Sequence, residues 1–239
     1  MIRAVVFDFG QTLVDSADGF RAAEKELQNK AVMTLAPPLR EGFLELYRQT
    51  RTRFHNQSIF SRRMLLGEVF SHYEMQIDPA VIEQWEMDYW GRVKALTRPF
   101  PETETVLGAL RVSGYHLALI TNTQGQRKEE RHRLSNYPEL ERFFEVIVIA
   151  GENGIPAKPD PVPFRLCLEQ LAIAPGEAVY VGDDLRIDVR GSESVGMHPV
   201  WLRHRSVTRN WPAVETDAPV IDSLERLLDL EALIPGAER

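Results

Sequence analysis

The residues of this chain that can do chemistry fall in four short segments, each following an apolar run. Asp8 ends Val5-Val6-Phe7, and Thr121-Asn122 ends Leu117-Ala118-Leu119-Ile120. Lys158 lies in Gly154-Ile155-Pro156-Ala157-Lys158-Pro159-Asp160-Pro161, while Asp183 and Asp188 follow Val179-Tyr180-Val181-Gly182. A carboxylate at a strand end serves as a nucleophile or a metal ligand. A hydroxyl beside free backbone N–H groups binds a phosphoryl oxygen, and an ammonium in a proline-stiffened loop neutralises anions. Carboxylates clustered like Asp183 and Asp188 repel unless a cation or base offsets them, so hard oxygen ligation of Mg²⁺ is a natural reading. Each segment also has a plainer explanation. Asp8 and Thr121 read equally as turn or capping residues, Lys158 as a solvated loop lysine, and Asp184 as an acid at a helix N-terminus.

Something must hold these residues together. Strand-like runs at Ala4–Phe9, His116–Thr121, Val146–Ala150, Ala178–Val181 and Pro199–Leu202, with a weaker one at Pro219–Ile221, alternate beyond residue 100 with amphipathic stretches. That alternation predicts repeated strand–helix units: an α/β fold with a Rossmann-like parallel sheet and helices on both faces. In such sheets sites form at the carboxyl ends of strands, where all four segments lie. Helices are predicted over 102–113, 127–135, 161–171, 185–195 and 223–233. Residues 17–96 carry helical periodicity instead, in four stretches broken near Pro37-Pro38, Asn56-Gln57-Ser58 and Asp78-Pro79. The expected organisation is a core of residues 1–15 and 98–239 interrupted by an all-α helical cap, 16–97. A helical block inserted after the first site loop reads as a lid that excludes water and holds substrate, or as an ordinary subdomain.

Composition narrows the classes. A net charge of −7 argues against general nucleic-acid binding, which requires basic surface. The only cysteine is Cys167, so no intramolecular disulfide forms, in keeping with a reducing, cytoplasmic setting. No apolar run reaches membrane-spanning length. Residues 48–63 contain no acid, and helical spacing puts Arg48, Arg51 and His55 on one face, either a solvated basic face or one that attracts an anionic substrate. His55 is also the cap's candidate proton donor. Asp15 is expected at a hinge or cap, Arg203, His204 and Arg205 in a loop, and residues 235–239 at a frayed end.

Taken together, Asp8-Phe9-Gly10-Gln11-Thr12-Leu13, Thr121-Asn122, Lys158-Pro159-Asp160-Pro161, Gly182-Asp183…Asp188 and Gly196-Met197…Val200-Trp201 resemble the ordered motifs of the haloacid dehalogenase-like hydrolases. The resemblance runs from Ile2 to about Leu202. It implies a hydrolase, in the first instance a phosphatase of a small phosphorylated metabolite, with Asp8 as nucleophile through an aspartyl-phosphate. It further implies Mg²⁺ held by Asp8, the Gly10 carbonyl, Asp183 and Asp188, and phosphoryl oxygens held by Thr121, Asn122 and Lys158.

One departure matters. Gly10 stands where the family's phosphatases keep a second Asp, the general acid/base. The carbonyl ligand survives this change, but proton transfer worth about 10²–10⁴-fold does not. Gln11 orients water at most, since an amide does not titrate. Two alternatives therefore stay open: a catalytically impaired phospholigand-binding protein, and a metal-independent 2-haloacid dehalogenase, whose chemistry needs no leaving-group acid but leaves Asp183 and Asp188 unexplained.

Overall fold

A computed structural model describes residues 1–122, 133–203 and 216–234. The expectations for 127–132, for His204 and Arg205, and for the last five residues lie outside these. The described residues separate into two compact units, one of residues 1–15, 98–122, 133–203 and 216–234, the other of residues 16–97.

In the first unit, β1 (Ala4–Phe7), β4 (His116–Asn122), β5 (Val146–Ala150), β6 (Ala178–Gly182), β7 (His198–Leu202) and β8 (Val220–Ile221) form a six-stranded sheet. Its order is β5-β4-β1-β6-β7-β8 and every pairing is parallel. Successive side chains point to opposite faces, and the sequence uses both. Val5, Phe7, Leu117, Leu119, Val179, Val181 and Val200 pack on one side with Val106, Leu107 and Leu110, and with Leu224 and Leu227. Ala4, Val6, Ala118, Ile120, Ala178 and Tyr180 pack on the other with Phe164, Cys167 and Leu168. A strand covered on both faces reads as a continuous apolar run, which is why these segments were legible. The fold class read from the sequence holds.

Two two-residue strands were not anticipated: β2 (Val14–Asp15) pairs antiparallel with β3 (Arg98–Pro99). Thr103 Oγ1 and Phe100 N both donate to the Leu13 carbonyl, at 2.8 and 3.1 Å, and tie this ribbon to the start of the next helix. Strands this short carry no periodicity for a sequence reading to detect.

The second unit is wholly helical: α1 (Ala17–Thr34), α2 (Phe43–Asn56), α3 (Arg62–His72) and α4 (Pro79–Leu96), with a short 3₁₀ turn at Pro37–Leu39. Gly19 lets α1 approach α4, because a Cβ there would meet the Val93 carbonyl at 2.7 Å. Its interior holds a buried ion pair, Arg62 with Glu24 at 3.2 Å, and the Tyr89 hydroxyl donates to the same carboxylate oxygen at 3.2 Å. Glu86 caps α3, accepting from Ser61 Oγ and the Arg62 and Arg63 backbones at 3.1, 2.7 and 3.1 Å.

The basic stretch divides its tasks. Arg51 reaches Glu24 at 3.4 Å, His55 packs edge-on against Phe60, and Arg48 borders an open groove along α2 with Glu45, Gln49 and Asn56. No helix among the described residues is long and apolar enough to cross a membrane.

The remaining helices of the first unit are α5 (Thr103–Val112), α6 (Pro138–Glu141), α7 (Pro161–Leu171), α8 (Arg190–Glu193) and α9 (Leu230–Leu233). The helix expected over 185–195 divides into a π turn, Leu185–Val189, followed by α8. The Asp184 carbonyl accepts from both Asp188 N at 2.8 Å and Val189 N at 3.3 Å, which widens this first turn. Such widened turns recur at functional sites.

Candidate active site

Asp8 directly follows β1, and its N–H donates to the Val181 carbonyl at 2.9 Å, extending the parallel ladder toward β6. Asp183 directly follows β6, and Asp188 lies in the π turn beyond. One carboxylate oxygen from each of Asp8, Asp183 and Asp188 lies within 4.8 Å of the others. Adjacent strands of one sheet thus bring together acids 175 and 180 positions apart in the chain.

Two local features hold the acids in place. A Cβ on Gly182 would fall 2.4 Å from Asp188 Cβ and Cγ, so only glycine lets Asp188 pack against the strand end. The side chain of Asp184 caps the turn through Arg186 N and Ile187 N, both at 3.0 Å, while its own N–H donates to Asp188 Oδ2 at 3.1 Å. The plainer explanation of Asp184, an acid at a helix start, is its observed job. The Trp201 indole N–H donates to the Asp183 carbonyl at 3.1 Å, steadying that acid from β7.

Lys158 enters from the loop after β5, with a cis bond to Pro159. It is 1% exposed, so the plainer reading of a solvated loop lysine does not apply. Asn122, at the end of β4, grips its backbone from both sides: Oδ1 accepts from Lys158 N at 2.8 Å and Nδ2 donates to the Lys158 carbonyl at 3.1 Å. Thr121 is buried next to it in the same strand.

The Lys158 ammonium donates toward four acceptors: Asp8 Oδ1 at 2.8 Å, Asp188 Oδ1 at 2.8 Å, the Ile120 carbonyl at 2.9 Å and the Tyr180 hydroxyl at 2.7 Å. An ammonium has three N–H bonds, so these four acceptors share three protons. The Tyr180 ring also lies 5.4 Å from the nitrogen, in cation–π range. Its hydroxyl stands 3.3 Å from both the Ile120 carbonyl and Asp188 Oδ1, either of which can take its proton.

Burial opposes charge throughout this cluster. It pushes Asp188 up to about 6, partly countered by Lys158, with Asp8 and Asp184 adding to the rise. For Lys158 burial works against the ammonium, but Asp188 and Asp8 overcome it and hold the pKa above the ordinary lysine value. Burial, then Asp188 and Asp8, hold the Tyr180 phenol well above its usual range.

Sequence reasoning singled out Asp8, Asp183, Asp188 and Lys158, and the structure brings their side chains together. Thr121 and Asn122 lie at the adjoining end of β4, and Gly10 two residues past Asp8. It overlooked Tyr180, the Ile120 carbonyl and Trp201. The available signal for Tyr180 was a polar-tipped aromatic inside an apolar strand, whose hydroxyl needs a partner once buried. Thr12, fully buried, has its hydroxyl 3.5 Å from Asp8 Oδ2, a long contact. Gln11 takes a left-handed backbone (φ 64°), and its amide reaches Asp15 Oδ1 at 3.4 Å.

Comparison with known proteins agrees with this geometry. The chain is 29% identical over 238 residues to a glyceraldehyde 3-phosphate phosphatase of Methanopyrus kandleri, covering 96% of this chain and 97% of that one. Its fold matches the crystal structure of a HAD phosphatase from Thermococcus onnurineus with a TM-score of 0.68 and 26% identity, over all of both chains. It also matches that of a 2-haloacid dehalogenase from Pseudomonas syringae pv. Tomato DC3000, TM-score 0.65 at 24% identity, covering 97% of this chain and 99% of that one, a likeness of fold alone. The family model for haloacid dehalogenase-like hydrolases matches residues 2–196, a span that holds Asp8, Thr121, Lys158, Asp183 and Asp188, and the chain belongs to that family of hydrolases.

Proposed function

We propose that this protein is a Mg²⁺-dependent phosphatase of a small phosphorylated metabolite, working through an aspartyl-phosphate on Asp8. The observation that carries this reading is the Asp8–Asp183–Asp188 cluster with a buried lysine on two of its members. A nucleophilic carboxylate that must approach an anionic phosphoryl group requires such positive compensation. Carbon–halogen displacement has no use for a triple carboxylate cluster. The phosphatase relative supports the same choice.

The donor set fits Mg²⁺, since all three side chains offer hard oxygens within a small radius. Asp8 and Asp183, with the Gly10 carbonyl, would hold the ion, and Asp188 would support it while engaged by Lys158 and the Asp184 N–H. Bound there, Mg²⁺ would offset the charge between nucleophile and phosphoryl oxygens.

Asp8 then attacks phosphorus, and the bond to the leaving oxygen breaks with its electron pair. Water next attacks the same phosphorus, the electron pair returns to Asp8, and inorganic phosphate departs. Lys158 orients Asp8 through its 2.8 Å ion pair and offsets its charge. Because four acceptors share its three protons, turning one N–H toward a phosphoryl oxygen orphans no donor. Thr121 and Asn122 complete the phosphoryl end of the site, Asn122 chiefly by fixing Lys158. The helical unit, residues 16–97, acts as the cap that selects substrate. Cys167, buried with its thiol pushed up to about 12, is an inert packing residue in keeping with a cytoplasmic setting.

One set of assays tests this reading: aryl phosphate, acyl phosphate and 2-haloacid turnover with Mg²⁺ or EDTA, for wild type and Asp8→Asn. Phosphate release that needs Mg²⁺ and vanishes in Asp8→Asn is the expected result. Halide release indifferent to EDTA would establish the dehalogenase instead. The absence of side-chain acid at Gly10 favours one further reading, a phospholigand-binding protein, which intact binding without turnover of any phosphate would establish.

A further inference from the structure

The phosphatase reading leaves open what carries the phosphoryl group, and the proton donors around Asp8 bear on that. Gly10, two residues past the nucleophile, has no side chain to give. Asp188 has Oδ1 on Lys158 and Oδ2 on the Asp184 N–H, and Asp183 belongs to the cation cluster. The Lys158 N–H bonds point at four protein acceptors, and the Thr12 hydroxyl faces Asp8 itself. Asp15 accepts from the Gln11 amide.

The described histidines of this unit stand at the wrong end of the sheet. His116 begins β4 and His198 begins β7, whereas the site lies where the strands finish. His116 pairs there with Glu145, and His198 with the Gly176 carbonyl. Of these described residues, the acids beside Asp8 are already taken up by protein donors or by the acid cluster, and both imidazoles stand at the far end of the sheet.

We infer that the substrates are activated phosphates, acyl phosphates above all, whose leaving group departs as a stable anion without a proton. This rests on the phosphatase reading. In the first step the Asp8 oxygen bonds to phosphorus and the P–O bond breaks with its electron pair on the leaving carboxylate. The second step adds water to phosphorus and returns the electron pair of the Asp8–phosphorus bond to Asp8. Both water protons end on inorganic phosphate, one of them passed to a phosphoryl oxygen. A carboxylic acid with a pKa of about 4 leaves unaided, whereas a phenol of about 10 or an alcohol does not. The second step also lacks a base, so the phosphorylated enzyme should accumulate when the first step is fast.

The test is a series of aryl phosphates spanning leaving-group pKa values from about 7 to about 10, together with acetyl phosphate and glycerol phosphate, assayed with Mg²⁺. Over that series kcat/KM should fall by at least about 10²-fold, the low end of what a general acid supplies. The most activated ester should show a burst of phenol approaching one equivalent per chain, with ³²P retained on Asp8 in the quenched protein. Acetyl phosphate should outpace glycerol phosphate by a wider margin. Gly10 does not have a positive φ, so an aspartate there meets no left-handed backbone strain. Gly10→Asp should raise kcat/KM for the poorest leaving group relative to the best by about 10²-fold and abolish the burst.

A series flat to within about tenfold with no burst would place an acid elsewhere in the chain and overturn the inference. It would leave the phosphatase reading standing. No phosphate release from any compound overturns that reading too. If Gly10→Asp does not fold, the wild-type series and burst decide alone.

Discussion

Replacing Lys158 with methionine keeps most of the side-chain volume and removes the charge. The structure sets the size of the effect. The ammonium sits 2.8 Å from both Asp8 Oδ1 and Asp188 Oδ1, with side chains 1%, 13% and 2% exposed for Lys158, Asp8 and Asp188. At an effective dielectric of about 20 each contact is worth roughly 6 kcal/mol before desolvation. Breaking a buried pair from one side costs about 3–5 kcal/mol net, because the abandoned carboxylates stay buried. In a chain of this size that lowers the melting temperature by roughly 6–20 °C. The internal control is Tyr180→Phe, which takes away one of four acceptors and leaves three for three N–H bonds. No donor is orphaned, so the loss should be only about 1 kcal/mol. Both variants are to be melted in EDTA, followed by near-UV circular dichroism, with and without added Mg²⁺. Mg²⁺ should recover more stability in Lys158→Met than in wild type, since the cation meets carboxylates no longer paired. A fall below about 3 °C for Lys158→Met, or equal losses in the two variants, would refute the donor-and-charge reasoning.

Three further outcomes follow from the packing. Gly182→Ala forces a Cβ within 2.4 Å of Asp188 Cβ, so Mg²⁺ affinity by calorimetry should fall about 10–100-fold; unchanged affinity would deny Asp188 a part in the site. Gly191→Ala places a Cβ 2.6 Å from Phe164 Cζ, whose ring packs edge-on against Tyr180. Overpacking there should cost about 1–3 kcal/mol in urea unfolding, and a neutral result would show that Phe164 has room to move. In the helical unit burial tends to raise the Glu24 pKa, but Arg62 and Arg51 outweigh it and hold the carboxyl below the ordinary value. Its stabilising contribution is therefore present above the unfolded-state pKa and is lost as pH falls through the folded one. Glu24→Gln should cost about 3–5 kcal/mol at neutral pH, and the gap to wild type should close in acid; a pH-independent gap would refute this.

Gly182 and Tyr180 show where sequence reasoning stopped. Gly182 was noticed as part of a pattern, yet its reason is steric and depends on a side chain six positions on that a π turn folds back. Tyr180 looked like one more apolar strand residue until the sheet set its hydroxyl beside an ammonium contributed from another loop. Arg48, Arg51 and His55 share a helical face by spacing, but α1 gave Arg51 an acid and the loop after α2 gave His55 an aromatic ring.

What the sequence determined by itself was the set of local choices. Strands buried on both faces must be uniformly apolar, amphipathic helices must repeat with their own period, and chemistry-bearing side chains must follow strands. From these came the α/β class, the helical insertion, and Asp8, Lys158, Asp183 and Asp188 as residues worth watching. Tertiary structure decided what those residues are to one another. Strand order placed β1 between β4 and β6, and that adjacency set Asp8 among acids nearly 180 positions away. Charge compensation, donor counting and the crowding at Gly182 act through space over a few ångströms, so chain order does not encode them one residue at a time.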